Sequence, residues 1–261
     1  AKPMRKGEIS FWYADIGLPP RRPALAGDTT ADVCIIGAGY TGLWTAYYLK
    51  KANPALNVLI LEREFAGFGA SGRNGGWLTG GFAWNHDTYL RQSSPAALRA
   101  LVQAMEGTVD EVIRVAEAEG IEADILRTDE VMVATNPAQL ARATAEVKHR
   151  RHWGEDGRVF QLGEAETRAR VNIPGVLGAM MVSGVARVQP AKLVRGLAAT
   201  VARLGARIVE GTTVTEITRG RVTTDKGIVT APIILRCTEG FTATMPGSRR
   251  EWLPLNSAQI A

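Results

Sequence analysis

Apolar residues between positions 33 and 62 fall into three groups. Val33, Cys34, Ile35 and Ile36 form an unbroken run of the kind found in a parallel strand buried on both faces. Leu43, Trp44, Ala46, Tyr47 and Leu49 then recur at helical spacing until Asn53 and Pro54 stop them, and Val58, Leu59, Ile60 and Leu61 make a second buried run. The order is strand, helix, strand. Leu98, Leu101, Val102, Met105, Val109, Val112, Ile113 and Ala116 predict a long helix from 95 to about 120, with Ser94 as its cap. A short strand over 130–135 and a polar helix over 137–152 follow. Pro190 and Gly205 frame an amphipathic helix over 191–204. Strands at 207–209 and 214–217, a hairpin of 221–224 with 228–230 around Asp225-Lys226-Gly227, and a buried strand at 233–237 complete the pattern.

Glycines mark where the first strand turns into its helix. Gly37, Gly39 and Gly42 make GxGxxG: Gly37 permits the tight turn, Gly39 lets backbone amides approach a pyrophosphate, and Gly42 lets the helix lie against the strand. The helix then points its positive end at the phosphates. Glu62 closes the second strand about twenty positions after Gly42, where a carboxylate accepts hydrogen bonds from the adenosine ribose. An acid there, in place of a basic residue, argues against a 2′-phosphate. NAD and FAD both remain open.

The next segment, REFAGFGASGRNGGWLTGG over 63–81, has too many glycines for a helix or a central strand. Trp77, Leu78 and Phe82 are too apolar for a solvated tether, and long ordered loops of this kind are usually functional. Composition adds bounds. The 261 residues, 46% of them hydrophobic, are ample for a packed core in two lobes. No apolar run is long enough to cross a bilayer, and the polar N-terminus lacks a secretory h-region, so a cytoplasmic location is expected. Cys34 and Cys237, both placed in buried strands, do not suggest a disulfide framework. The net charge of +5 is spread over separate arginine pairs, so nucleic acid is not an expected partner. His149 and His152 share helical spacing but no nearby cluster completes a metal site, and an exposed helix end is expected there. For His86 and Tyr89 a packing or surface role is expected.

GAGYTG, the ERE after the second strand, GASGRNGG, the segment 183–217 and TAPIILRCTEGFTATMPG together resemble the D-amino-acid-oxidase-like FAD-dependent amine oxidoreductases, in the branch near γ-glutamylputrescine oxidase. The resemblance selects FAD over NAD. It implies an α/β fold, with an FAD-binding two-dinucleotide-type Rossmann-like domain, an inserted α+β substrate lobe, and an incomplete C-terminus. Residues 1–30 would be a lead-in segment, 31–82 and 183–245 the two parts of the FAD domain, 83–182 the substrate lobe, and 246–261 the start of a further substrate segment.

The resemblance also implies site residues. Gly37, Gly39, Tyr40, Thr41 and Gly42 would surround the pyrophosphate, and Glu62 and Arg63 would border the adenosine. Gly69, Ala70, Ser71, Arg73, Asn74, Gly75, Gly76 and Leu78 would run from pyrophosphate to isoalloxazine, Val214 would meet adenine, and Thr238 and Gly240 would approach from the later turn. Relatives that attach flavin through histidine place it where this chain has Arg73, so the FAD is expected to be non-covalent. Arg73 or Lys192 could stabilise an anionic reduced flavin. No catalytic residue and no metal ligand is named.

The implied chemistry is oxidation of a C–N bond of an amine or amino acid, of polyamine-derivative or N-alkyl amino-acid type, with hydride transfer to flavin and oxygen as acceptor. Relatives continue past this terminus, so the chain is expected to be a fragment lacking its C-terminal half, with a short paralogue or one chain of a split flavoprotein as alternatives. A truncated, non-catalytic FAD-binding protein is the rival function.

Overall fold

The computed structural model describes residues 9–81, 86–245, 247–253 and 255. Phe82, the first eight residues of the lead-in, and half of the segment 246–261 lie outside the described residues. In chain order the elements are α1 (Phe11–Ile16), β1 (Thr29–Thr30), β2 (Val33–Ile36), α2 (Tyr40–Ala52), β3 (Val58–Leu61), β4 (Trp77–Leu78), α3 (His86–Leu90), α4 (Pro95–Ala118), β5 (Leu126–Ala134), α5 (Pro137–His152), β6 (Val159–Leu162), α6 (Glu164–Arg170), β7 (Gly178–Arg187), α7 (Pro190–Arg203), β8 (Arg207–Val209), β9 (Val214–Thr218), β10 (Arg221–Thr224), β11 (Gly227–Thr230) and β12 (Ile233–Arg236). Short 3-10 segments occur at Ala70–Gly72 and Glu239–Thr244. They divide into two compact units, one of residues 1–76, 118–123 and 189–261, the other of 77–117 and 124–188. The chain therefore leaves the first unit and returns to it.

The first unit is built on a parallel sheet in the order β12-β2-β3-β8. All four residues of β2 and of β3 are buried, as strands covered on both faces require. On one face Cys34, Ile36, Leu59 and Leu61 pack against Val222 and Val229 of a second sheet, ordered β1-β11-β10-β9, and against Ala231 just past its β11. On the helical side α2 packs on β2, β3 and α7. The result is a parallel sheet with helices on one face and a second sheet on the other, built around the strand-helix-strand unit that the hydrophobic pattern predicted.

One carboxylate ties this unit together. Glu210, just past β8, is only 1% exposed. It accepts from the Arg22 amide and guanidinium, both at 2.8 Å, and from the Ala66 amide at 3.0 Å. Lead-in, sheet and glycine-rich loop meet at that side chain.

In the second unit β7 is central and antiparallel to its partners. β5 runs along one edge, while β6 and β4 pair with successive stretches of β7. α5 packs on the sheet, with Val147 in one cluster with Val159, Met180, Val182 and Val185. Gly184, at φ +73°, leaves room for the Arg158 guanidinium, which donates to the Gly184 carbonyl at 2.6 Å. Asn136 caps α5 by accepting from the Gln139 amide at 2.9 Å.

The glycine-rich segment holds no α-helix and no central strand; its two-residue strand β4 lies at a sheet edge, paired with β7. Two expectations need correction. The 233–237 strand ends at Arg236 and lies at the sheet edge with Ile233 half exposed, and the half-buried Cys237 follows it. His149 is not simply exposed: its Nε2 lies 3.1 Å from Nδ1 of His86, and His86 stacks on Trp153. His152 is exposed at the helix end and edge-on to Trp153. His86 and Tyr89 take packing roles around Trp153, as expected.

Burial, then the neighbouring His149, hold His86 below its ordinary value near 6.5. A depressed histidine favours the unfolded chain when protonated, so this stability is present above pH 6.5 and is lost as pH falls below it. We expect the midpoint of urea unfolding to drop between pH 7.5 and 5.5, and His86→Gln to flatten that slope; an unchanged slope in the variant would contradict this assignment.

Candidate functional site

A cavity of about 240 Å³ opens at the carboxyl ends of β2 and β3, within the first unit. The glycine turn forms its floor. Gly37 has φ +105°, and a Cβ there would stand 2.4 Å from the Cys237 carbonyl oxygen, so only glycine fits this turn. At Gly42 a Cβ would stand 2.1 Å from the Gly37 carbonyl oxygen. Gly39 precedes the first turn of α2, where no acidic residue opposes the positive helix end. The Tyr40 amide donates to Ser71 Oγ at 2.9 Å, which brings the glycine-rich loop up to the helix N-terminus.

Glu62 sits in the wall. Its Oε2 accepts from the Ala38 amide and its Oε1 from the Glu64 amide, each at 2.9 Å. Burial holds the carboxyl above the usual carboxylate range despite those two hydrogen bonds. The carboxylate thus shapes the turn as well as facing any ligand. Beside it, Thr212, whose amide donates to the Glu62 carbonyl at 3.0 Å, Thr213 and Val214 come from the stretch that leads into β9, and Thr238, Glu239, Phe241, Thr244 and Met245 from the segment after β12.

Of the residues expected at the site, Gly37, Gly39, Tyr40, Thr41, Glu62, Arg63, Gly69, Ala70, Ser71, Val214 and Thr238 line this one cavity. Gly42 supports it from behind, inside α2. Asn74 folds back into its own loop, donating to the Ala70 and Ser71 carbonyls and accepting from the Gly76 amide. Arg73 donates to the Phe68 carbonyl at 2.6 Å and lies 4.3 Å from that ring's centroid, so it braces the loop. Gly75 and Gly240 are half-buried neighbours of the lining residues, and Leu78 lies in β4 of the second unit. Phe68, Phe241, Thr212 and Met245 line the cavity without having been expected. Strand order brings Thr212, Phe241 and Met245 there, whereas Phe68 sits in the glycine-rich loop beside the expected Gly69.

Cys237 also lines the cavity, its thiol pushed up by burial, and burial drives the Cys34 thiol up to about 12. Neither is a thiolate nucleophile near neutral pH. Among the described residues no group of three or more His, Cys, Asp or Glu could hold a metal ion. No helix among them is long and apolar enough to cross a membrane.

A parallel sheet with a glycine turn, a helix N-terminus and a terminal acid at one crevice defines a dinucleotide-binding protein, here interrupted by an α+β unit. The chain belongs to the FAD dependent oxidoreductase family, designated DAO, whose sequence profile matches residues 32–259. It is similar to gamma-glutamylputrescine oxidoreductase of Escherichia coli, with 33% identity over 89% of this chain and 54% of the relative. The probable oxidoreductase OrdL of Rhizobium meliloti is 31% identical over 84% of this chain and 53% of its own length. The chain spans about half the length of these curated relatives. In fold it is similar to glycine oxidase from Geobacillus kaustophilus, with TM-score 0.67 and 24% identity, covering 85% of this chain and 58% of that structure.

Proposed function

We propose that the first unit binds FAD non-covalently and that the chain is the flavin-binding part of an enzyme oxidising a C–N bond of an amine or amino acid. The observation that carries this reading is the cavity at the carboxyl end of β2 and β3, where the glycine turn, the first turn of α2 and Glu62 converge. Those groups suit the cofactor's parts. Backbone amides at the positive helix end favour a pyrophosphate, and Glu62 offers acceptor oxygens to ribose hydroxyls. The flavin would supply the hydride-accepting chemistry, while this chain binds and orients it.

Non-covalent attachment is supported by the lining, which includes no histidine among the described residues and holds its cysteine thiol protonated. Arg73 is engaged with Phe68 and serves the loop, so we assign it no part in tuning the flavin. The similarity to gamma-glutamylputrescine oxidoreductase supports a polyamine-derivative substrate, with N-alkyl amino acids as the neighbouring class. Oxygen as acceptor and a cytoplasmic location belong to the same reading.

The test is a peroxide-coupled assay of the FAD-loaded chain against glutamylated and free polyamines and N-methyl amino acids. Peroxide formation that depends on one of these amines is the expected result. FAD binding without turnover of any of them would leave a non-catalytic FAD-binding chain, or one chain of a split flavoprotein, as the correct description.

A further inference from the structure

One wall of the cavity is made by residues that start on opposite sides of β2. Arg63 follows β3, and Phe241 belongs to the 3-10 segment after β12, with β2 lying between those two strands in the sheet. Neighbouring strands are about 4.8 Å apart, so a contact between these residues bridges roughly 10 Å across the end of β2. The bridge is made. The Arg63 guanidinium carbon lies 5.2 Å from the centroid of the Phe241 ring, within cation–π range, and both residues line the cavity.

The turn that this bridge spans is the one at Gly37 and Gly39. Phe241 is held in place from the loop side: a Cβ at Gly69 would stand 3.1 Å from its ring, so glycine there lets the ring settle on the backbone. Phe68 flanks the ring at 6.3 Å between centroids, and Arg73 covers Phe68 in turn. Arg63 is tethered only loosely otherwise, 3.6 Å from Glu64 Oε1, while the other oxygen of that carboxylate, Oε2, pairs with Arg21 at 2.8 Å. Phe241 remains 38% exposed. The pair therefore sits at the solvent boundary of the cavity, one cationic and one aromatic side chain meeting across the end of β2, the strand that runs into the Gly37–Gly39 turn.

We propose that Arg63 and Phe241 form a ligand-binding clasp that parts to admit the dinucleotide and closes over its pyrophosphate. The clasp rests on the FAD reading above. Closed, the two act as a pair: the Phe241 ring holds the Arg63 guanidinium beside the phosphates, and neither slows release without the other, so the main effect is on release.

Stopped-flow flavin fluorescence of the full chain, with Phe241→Leu, Arg63→Gln and the double variant, tests it. Each single change should speed FAD release about fivefold. The double variant should release no faster than the faster single variant, because either change breaks the same contact. Thermal midpoints within a degree or two of the parent would show that the fold is kept, which the exposed position of both side chains favours. Unchanged release in both single variants, or two effects that simply multiply, would overturn the clasp while leaving FAD binding intact. A parent chain that takes up no FAD would overturn the FAD reading and the clasp with it.

Discussion

Replacing Gly42 with alanine is expected to lower FAD affinity by about a hundredfold, since an ångström-scale misplacement of binding groups costs that order. The new Cβ would stand 2.1 Å from the Gly37 carbonyl oxygen and 3.1 Å from Ile35 Cγ2. The first of these atoms is backbone, and it belongs to the turn itself. To relieve the overlap α2 has to move off β2, or the turn has to open. Either movement shifts Gly39 and Tyr40 away from the position set by Ser71. Overpacking of this kind also costs stability, about 2 kcal/mol. Fluorescence titration with FAD and a urea melt read the two effects separately. Parent-like affinity in Gly42→Ala would mean that the turn does not hold the ligand.

The second large effect is expected at Glu210, which does not itself line the cavity. Glu210→Ala strands the Arg22 amide, the Arg22 guanidinium and the Ala66 amide. Breaking a buried charged network from one side costs about 3–5 kcal/mol, because the remaining partners stay desolvated and unpaired. In a chain of this size that corresponds to a fall in Tm on the order of 10 °C. Glu210→Gln keeps the shape and one acceptor oxygen, so its loss should be clearly smaller. Ala66 lies in the loop leading to Gly67 and Gly69, so FAD affinity should weaken with stability in the alanine variant. Equal melting of both variants and the parent would remove Glu210 from this account.

What the sequence discloses and what it hides divide along a physical line. The β2-α2-β3 unit is legible because its signals are local: unbroken apolar runs, a helical period, and glycines whose absent Cβ atoms the turn requires. The helix at 137–152 is legible for the same reason, with Asn136 and Pro137 opening it. β7 is different. GAMMVSGVAR shows no alternation, and Gly184 takes a positive φ inside it, yet pairing with β4, β5 and β6 holds ten residues extended. β6 and α6 are short and their patterns ambiguous without their partners.

The cavity divides in the same way. Gly37, Gly39 and Glu62 could be read from spacing alone. Phe241 could not, because it reaches the cavity only through the placement of β12 beside β2. Arg73 and Asn74 show how a loop engages its own polar side chains. Their types suit a phosphate or a flavin edge, but a loop this rich in glycine uses its few polar side chains to hydrogen-bond its own carbonyls.

The measurement that bears most directly on the central claim is the visible absorption spectrum of the purified 261-residue chain incubated with FAD, recorded before and after acid precipitation. Flavin bands that accompany the folded chain and move wholly into the acid supernatant are the predicted result. No bands after FAD addition would contradict the assignment of the cavity, and bands that stay with the pellet would contradict non-covalent binding.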